Sequence, residues 1–139
     1  MTSKSVKSRV AILGGGPSAL FVYKRFVEAV RTDLEIHIFE VKKLLGAGMP
    51  YSYEGANKEH VTNVSDNEIP EIVTSIETWI HSLSKESLAK FNIEKDNFNE
   101  YKVLPRLLFG QYLSAQFTLL LEKAKSDGLE TVVHLGSKV

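Results

Sequence analysis

The chain has 139 residues, 43% of them hydrophobic and 24% charged, with 17 basic and 17 acidic side chains and no cysteine. That is the length of one domain able to bury about two-thirds of its unfolded surface, and the composition excludes a disordered or membrane-embedded chain. The balanced charge offers no basic face to nucleic acid or an anionic surface. The lack of cysteine removes disulfides, thiolate metal sites and a cysteine nucleophile, and fits a reducing, cytoplasmic compartment.

Residues 1–8 are polar, basic and serine-rich, and read as a loose lead-in. Lys4, Lys7 and Arg9 ahead of an apolar stretch imitate a signal peptide, but three glycines and Pro17 interrupt that stretch. No apolar run approaches the roughly twenty residues needed to cross a bilayer. Val10 to Leu13 are four apolar residues in succession, which predicts a short strand buried on both faces. From Pro17 onward Leu20, Phe21, Phe26, Val27 and Val30 keep near-helical spacing, with proline suited to a first helical turn. Ile36, Ile38 and Phe39 then predict a second strand that stops on Glu40.

The turn between first strand and helix carries the chemistry. Gly14-x-Gly16-x-x-Ala19 fits the G-x-G-x-x-G/A pattern of dinucleotide sites. There the first glycine permits a tight turn, the second lets the backbone approach a pyrophosphate, and a small third residue lets helix and strand pack closely. Gly15, Pro17 and Ser18 complete the turn, and the helix N-terminus offers free N–H groups to phosphate. Glu40, about twenty residues beyond Ala19, is placed to accept hydrogen bonds from ribose hydroxyls. Two other readings of the turn stand beside this one: a glycine-rich turn with no ligand, and a nucleophile elbow built on Ser18. Against the elbow, Leu20 replaces the last glycine of G-x-S-x-G. A Walker-type phosphate loop is excluded because no Gly-Lys-Ser/Thr follows.

Beyond the second strand, Lys42 and Lys43 either favour a 2′-phosphate or are simply solvated, and the charge of Glu40 opposes a phosphate there. Residues 44–70 lack periodicity and read as a long functional loop. Pro70 and Glu71 open a helix with Ile72, Val73, Ile76, Trp79, Ile80 and Leu83 on one face, making Trp79 a core residue and leaving His81 wet. A short helix follows Ser84, and residues 92–100 read as a surface loop. Another helix starts at Pro105 and ends at Asp127-Gly128, with a broad apolar face and a first-turn Arg106 that opposes the helix dipole. Thr131 to Leu135 predicts a third strand. His37, His60, His81 and His134 have no metal-ligand spacing, so no metal site is expected.

The strand VAIL with GGGPSA and the acidic end of HIFE resembles the N-terminal FAD-binding segment of flavoproteins with two dinucleotide-binding domains. GAGMPYS at residues 46–52, HVTNVSDNEIP at 60–70 and LPRLLFGQYL at 104–113 resemble, more narrowly, bacterial FAD/NAD(P)-binding proteins of uncharacterised substrate. The resemblance implies an α/β chain with a Rossmann-like parallel sheet, its third strand beside the second in the order 3-2-1. Residues 1–139 would then be half of a single, truncated FAD/NAD(P)-binding domain with a helical insertion at about 70–126. It implies FAD as cofactor, NAD or NADP as second cofactor, and an oxidoreductase completed by a missing C-terminal segment or partner chain. It makes Met49, Pro50, Tyr51 and Asn63 candidates to line the cofactor, with packing of Tyr51 and Tyr53 on a sheet edge as the other reading. Arg106 would hold phosphate or a loop carboxylate, or be solvated. A non-catalytic nucleotide-binding or protein-interaction module is the remaining alternative.

Overall fold

The computed structural model describes residues 5–139. Its elements in chain order are β1 (Ser8–Leu13), α1 (Pro17–Glu28), β2 (Leu34–Glu40), β3 (Val61–Ser65), α2 (Ile76–Ser82), α3 (Lys85–Ala89), β4 (Val103–Pro105), α4 (Arg106–Ser126) and β5 (Glu130–Leu135), with 3-10 turns at Asp66–Glu68 and Lys95–Asn97. Residues 1–4 of the expected lead-in lie outside the described residues, and Ser8 already belongs to β1.

Strands β1, β2 and β5 form a parallel sheet with β2 in the middle, the 3-2-1 order expected of a Rossmann-like half-domain. In β2 the alternation is strict. Leu34, Ile36, Ile38 and Glu40 are buried on one face, and Glu35, His37 and Phe39 are half-exposed on the other. The long helices α1 and α4 serve the buried face, through Leu20, Tyr23 and Val27 from one and Leu113, Phe117 and Leu120 from the other. Tyr23 stacks on Phe117 at 5.5 Å between ring centroids, and its hydroxyl shares a 2.7 Å hydrogen bond with Thr131 of β5.

The expectation that β1 is buried on both faces is corrected. β1 lies at an edge of the sheet, and its side chains are covered on one face only: Val10 and Ile12 are half-buried while Leu13 is 65% exposed. On that open face Phe39 and His134 stack at 4.3 Å, and His37 links Nδ1 to His134 at 2.9 Å and Nε2 to Glu35 at 2.5 Å. The His37 contact, seconded by the charges of Arg9 and Lys7, holds the Glu35 carboxyl below its usual range.

The helix expected from Pro70 starts instead at Ile76, where Ser75 caps it by accepting from Thr78 N–H at 3.1 Å. The preceding segment cannot be helical because Val73 and Thr74 give their N–H groups to the side chain of Gln116, at 2.9 and 2.8 Å. Trp79 is half-buried edge-on against Tyr112, and His81 is exposed, as expected. The presumed loop 44–70 contains a strand, β3, which pairs antiparallel with the three-residue β4 in an irregular register. The 92–100 excursion is mostly exposed, but Phe98 is buried in the core and Ile93 packs half-buried against it.

Three helices end alike, with the two hydrogen bonds of a Schellman motif around a residue of positive φ. At α4 that residue is Gly128 (φ +83°), after α3 it is Asn92 (φ +55°), and at α1 it is Val30 (φ +48°). Glycine and asparagine tolerate this region, whereas a β-branched residue there is a conformational outlier. A non-glycine residue in it costs about 1–2 kcal/mol, partly offset by its stiffer unfolded chain. Val30→Gly is therefore expected to stabilise the chain by about 0.5–1 kcal/mol and raise Tm by about 2–4 °C in a thermal melt. An unchanged or lower Tm would show that the left-handed valine carries no strain.

Asp66, at the head of its 3-10 turn, faces Glu77 and Glu100. Burial first, then these two carboxylates, push its carboxyl above the usual range, against a backbone hydrogen bond from Glu77. A folded pKa above the unfolded one means that the native state holds the proton more tightly. Stability is then lost as pH rises from the ordinary aspartate range through the raised value. Asp66→Asn should be more stable than the parent at pH 7, and the two should converge below the ordinary aspartate range, as denaturant midpoints would report.

Candidate functional site

The parallel strands all end on one side, where the first βα turn sits. Gly14 has φ +90°, which no other residue adopts at comparable cost, and its N–H donates to Phe39 O at 2.8 Å, tying the turn to the end of β2. Gly15 donates to Glu40 Oε2 at 2.7 Å, while its carbonyl accepts from Gly46 N–H at 2.6 Å. Gly16 is the N-cap of α1 without a side-chain cap, and Pro17 occupies the first helical turn. The first intrahelical bond runs from Leu20 N–H to Gly16 O, leaving the N–H groups of Ser18 and Ala19 ahead of it. Ala19 is buried against the core, the close packing expected of that position.

Beside this turn lies a cleft of about 470 Å³ lined by Leu13, Gly14, Phe39, Glu40, Val41 and the C-terminal residues 137–139. The chain returns to it after β5 because Ser137 N–H donates to Glu40 O at 2.9 Å and Gly136 N–H to Lys42 O at 3.2 Å. The cleft stands outside the carboxyl ends of the strands, where open α/β sheets bind ligands. A wider hollow of about 850 Å³ between Lys7, Arg9, Glu35 and Glu130 opens at the opposite end of the sheet and has no glycine turn or helix N-terminus. The residues at the carboxyl end fit a dinucleotide: bare backbone and free N–H groups at the turn, an apolar wall at Leu13, Phe39 and Val41, and polar groups at Glu40 and Lys138.

The site residues do not all come together. Gly14 to Ala19 and Glu40 come together at the turn. Lys42 stands next to them, its N–H donating to Glu40 Oε1 at 3.0 Å while its ammonium is drawn to Glu54, at 3.0 Å, and to Ser52 Oγ, at 3.3 Å. Tyr51 packs edge-on against Phe109 of α4 at 4.9 Å, so its ring serves the packing of the loop, and Tyr53 and Met49 are exposed. Asn63 and Arg106 form a separate pair at the start of α4. Arg106 Nε donates to Val61 O at 3.0 Å, Nη2 approaches Asn63 Oδ1 at 3.4 Å, and the Arg106 N–H donates to His60 O at 2.8 Å. Arg106 thus staples α4 to β3. Ser18 meets no histidine: His134 is engaged with His37, His60 Nδ1 with Asn57 N–H, and His81 faces Glu77. Among the described residues no group of histidine and carboxylate side chains is arranged to hold a metal ion. Nor, among the described residues, is any helix long and apolar enough to cross a membrane.

Sequence reasoning missed the support beneath the turn. Ser114 of α4 donates to Leu45 O at 2.6 Å, holding residues 45–46 against Gly15. Gly46 has φ +100°, and a Cβ there would lie 2.7 Å from the Leu113 carbonyl. The Gly46-x-Gly48 spacing was the visible signal of this close approach.

The family model described as FAD-NAD(P)-binding matches residues 11–139. Among curated proteins the chain is 30% identical over 131 residues to the uncharacterized protein YdhS of Escherichia coli K12, covering 94% of this chain but only 24% of that protein. Among solved structures it is similar to THI4 of Thermovibrio ammonificans, at 21% identity and a TM-score of 0.36, over 91% of this chain and 37% of that one. With the glycine turn, the parallel sheet and a family match over nearly its whole length, the chain is a member of the FAD-NAD(P)-binding family.

Proposed function

We propose that this chain binds the ADP part of FAD and, within a longer protein, contributes to an NAD(P)H oxidoreductase. The observation that carries the reading is the glycine turn opening into the α1 N-terminus beside the 470 Å³ cleft. The pyrophosphate would lie on the free N–H groups of Gly16, Ser18 and Ala19, where backbone donors and helix dipole favour an anion. Adenosine would lie in the cleft, its ribose at the Glu40 end and its base against Leu13, Phe39 and Val41. FAD or NAD is favoured over NADP because a 2′-phosphate would meet the Glu40 carboxylate, while the Lys42 ammonium is already matched by Glu54. The flavin, when bound, supplies the redox chemistry. The chain's own groups bind and orient.

The test is a titration of the purified chain with FAD, ADP and NADP, read by flavin fluorescence and Tm. FAD and ADP are expected to bind and NADP to bind at least tenfold more weakly. A Cβ on Gly16 meets nothing nearer than Gly48 Cα at 3.5 Å, so the fold has room for one. Gly16→Val should therefore cost at least tenfold in ADP affinity by obstructing the pyrophosphate, with Gly16→Ala as the folding control. Unchanged affinity in Gly16→Val would remove the site from this turn. The second reading, an interaction module, rests on the exposed Leu13 and Val132 of the open sheet face, and a folded chain that bound none of the three nucleotides would favour it.

A further inference from the structure

The Glu40 side chain is nine-tenths buried, and both of its carboxylate oxygens are engaged by the protein's own backbone: Oε2 by Gly15 N–H at 2.7 Å and Oε1 by Lys42 N–H at 3.0 Å. Charge-assisted bonds of this kind are stronger than neutral ones and fix geometry. The partner residue matters as much as the bond. Gly15 is the middle glycine of the turn, between Gly14, which makes the tight turn, and Gly16, whose bare backbone would admit the phosphate, and its carbonyl is held from the other side by Gly46 N–H at 2.6 Å. The space around it is closed as well, since a Cβ at Gly15 would lie 2.4 Å from a Leu45 methyl and 3.1 Å from Glu40 Oε2. The Gly15 peptide is thus clamped between β2 and the loop after it, and its N–H is spent on Glu40 and unavailable to a ligand. The turn's remaining donors, at Gly16, Ser18 and Ala19, take their directions from that clamp.

We infer that Glu40 is a positioning residue of the phosphate-binding turn, acting on the nucleotide through the Gly15 peptide and independently of the ribose hydroxyls. The inference rests on the ADP site proposed above and goes beyond it, because a carboxylate that only held ribose would leave phosphate binding untouched. It also accounts for the tolerance of a buried carboxylate beside a pyrophosphate site: two backbone dipoles already take up its charge.

The experiment compares ADP with 2′,3′-dideoxy-ADP on the wild-type chain and on Glu40→Gln. Glutamine keeps the shape but has one acceptor oxygen, so it can satisfy one of the two N–H groups and opposes the other with its own NH₂. Loss of affinity for both nucleotides by a similar factor, at least fivefold, is expected. A smaller loss for the dideoxy nucleotide, with the full loss confined to ADP, would overturn the inference and leave the ADP site standing. Failure of the wild-type chain to bind either nucleotide would overturn the site and the inference together. Should Glu40→Gln not fold, Glu40→Asp, which keeps the charge but draws the carboxylate back from the Gly15 and Lys42 N–H groups, is titrated with the same two nucleotides. An affinity for dideoxy-ADP unchanged from wild type in that variant would overturn the inference.

Discussion

Gln116→Leu is expected to cost about 3–5 kcal/mol of stability. Gln116 is fully buried in the middle of α4, and its amide group is used at both ends. Oε1 accepts from Val73 N–H and Thr74 N–H, and Nε2 donates to Thr74 Oγ1 at 2.8 Å. Leucine fills similar space but leaves two backbone donors and a hydroxyl of the half-buried Val73–Thr74 segment without these partners, each worth about 1–3 kcal/mol when left unpaired. Tyr112 O–H, donating to Thr74 O at 2.8 Å, would be the segment's surviving tie to α4. Chemical denaturation should show a lower midpoint, and amide exchange at Val73 and Thr74 should accelerate more than elsewhere. A midpoint within about 1 kcal/mol of wild type would mean that this segment finds other partners.

Gly110→Ala should destabilise by about 2–3 kcal/mol, the reverse of what helix propensity predicts. Alanine in a helix interior is worth up to about 1 kcal/mol over glycine. Gly110, however, sits where α4 meets the loop after β2, and a Cβ on it would overlap the Tyr51 carbonyl oxygen and approach the Tyr51 Cβ at 3.1 Å. A backbone oxygen cannot rotate away, so residues 49–51 must shift, at the cost usual for overpacking. Because the same loop carries Gly46, whose N–H holds Gly15 O, the shift should also weaken ADP binding. A thermal melt and an ADP titration on the variant check both parts. A stabilised variant would show that the loop moves freely against α4.

These two positions show where the sequence stopped being readable. The first strand, glycine turn, α1 and β2 were legible because their signals are local: an apolar run, glycines at fixed offsets, helical spacing, and an acidic residue at the strand's end. β5 was legible for the same reason, and with three strands identified their order followed from the doubly wound fold that the family resemblance implied. The start of α2 was not, since the apolar rhythm of Ile72, Val73 and Ile76 runs on into the helix without a break. The helix waits for Ser75 because Gln116, more than forty residues further on, claims the intervening N–H groups. The β3–β4 ribbon was hidden by its size and irregular register, with Pro105 closing a three-residue strand. The exposure of β1 depends on what stands next to it in space, which its four apolar residues do not record.

At the site the division is similar. That Glu40 would lie beside the glycine turn was readable from spacing alone. That its oxygens are bonded to Gly15 and Lys42 N–H groups is a matter of angstroms, set by where Leu45 and Gly46 press on the turn. Asn63 and Arg106 were matched to a family motif and do lie together, but as a pair that fastens β3 to α4. Hydrogen bonds between distant segments define their surroundings, and no single-chain pattern encodes those.

The most direct test of the dinucleotide site is to titrate the isotope-labelled chain with ADP and follow every backbone amide. The account predicts saturable shifts concentrated at Gly14 to Ala19, with a second set at Val41 and Gly136 to Lys138 where the cleft closes. Saturation with the shifts elsewhere, or no shift at the turn with ADP at millimolar concentration, would contradict it.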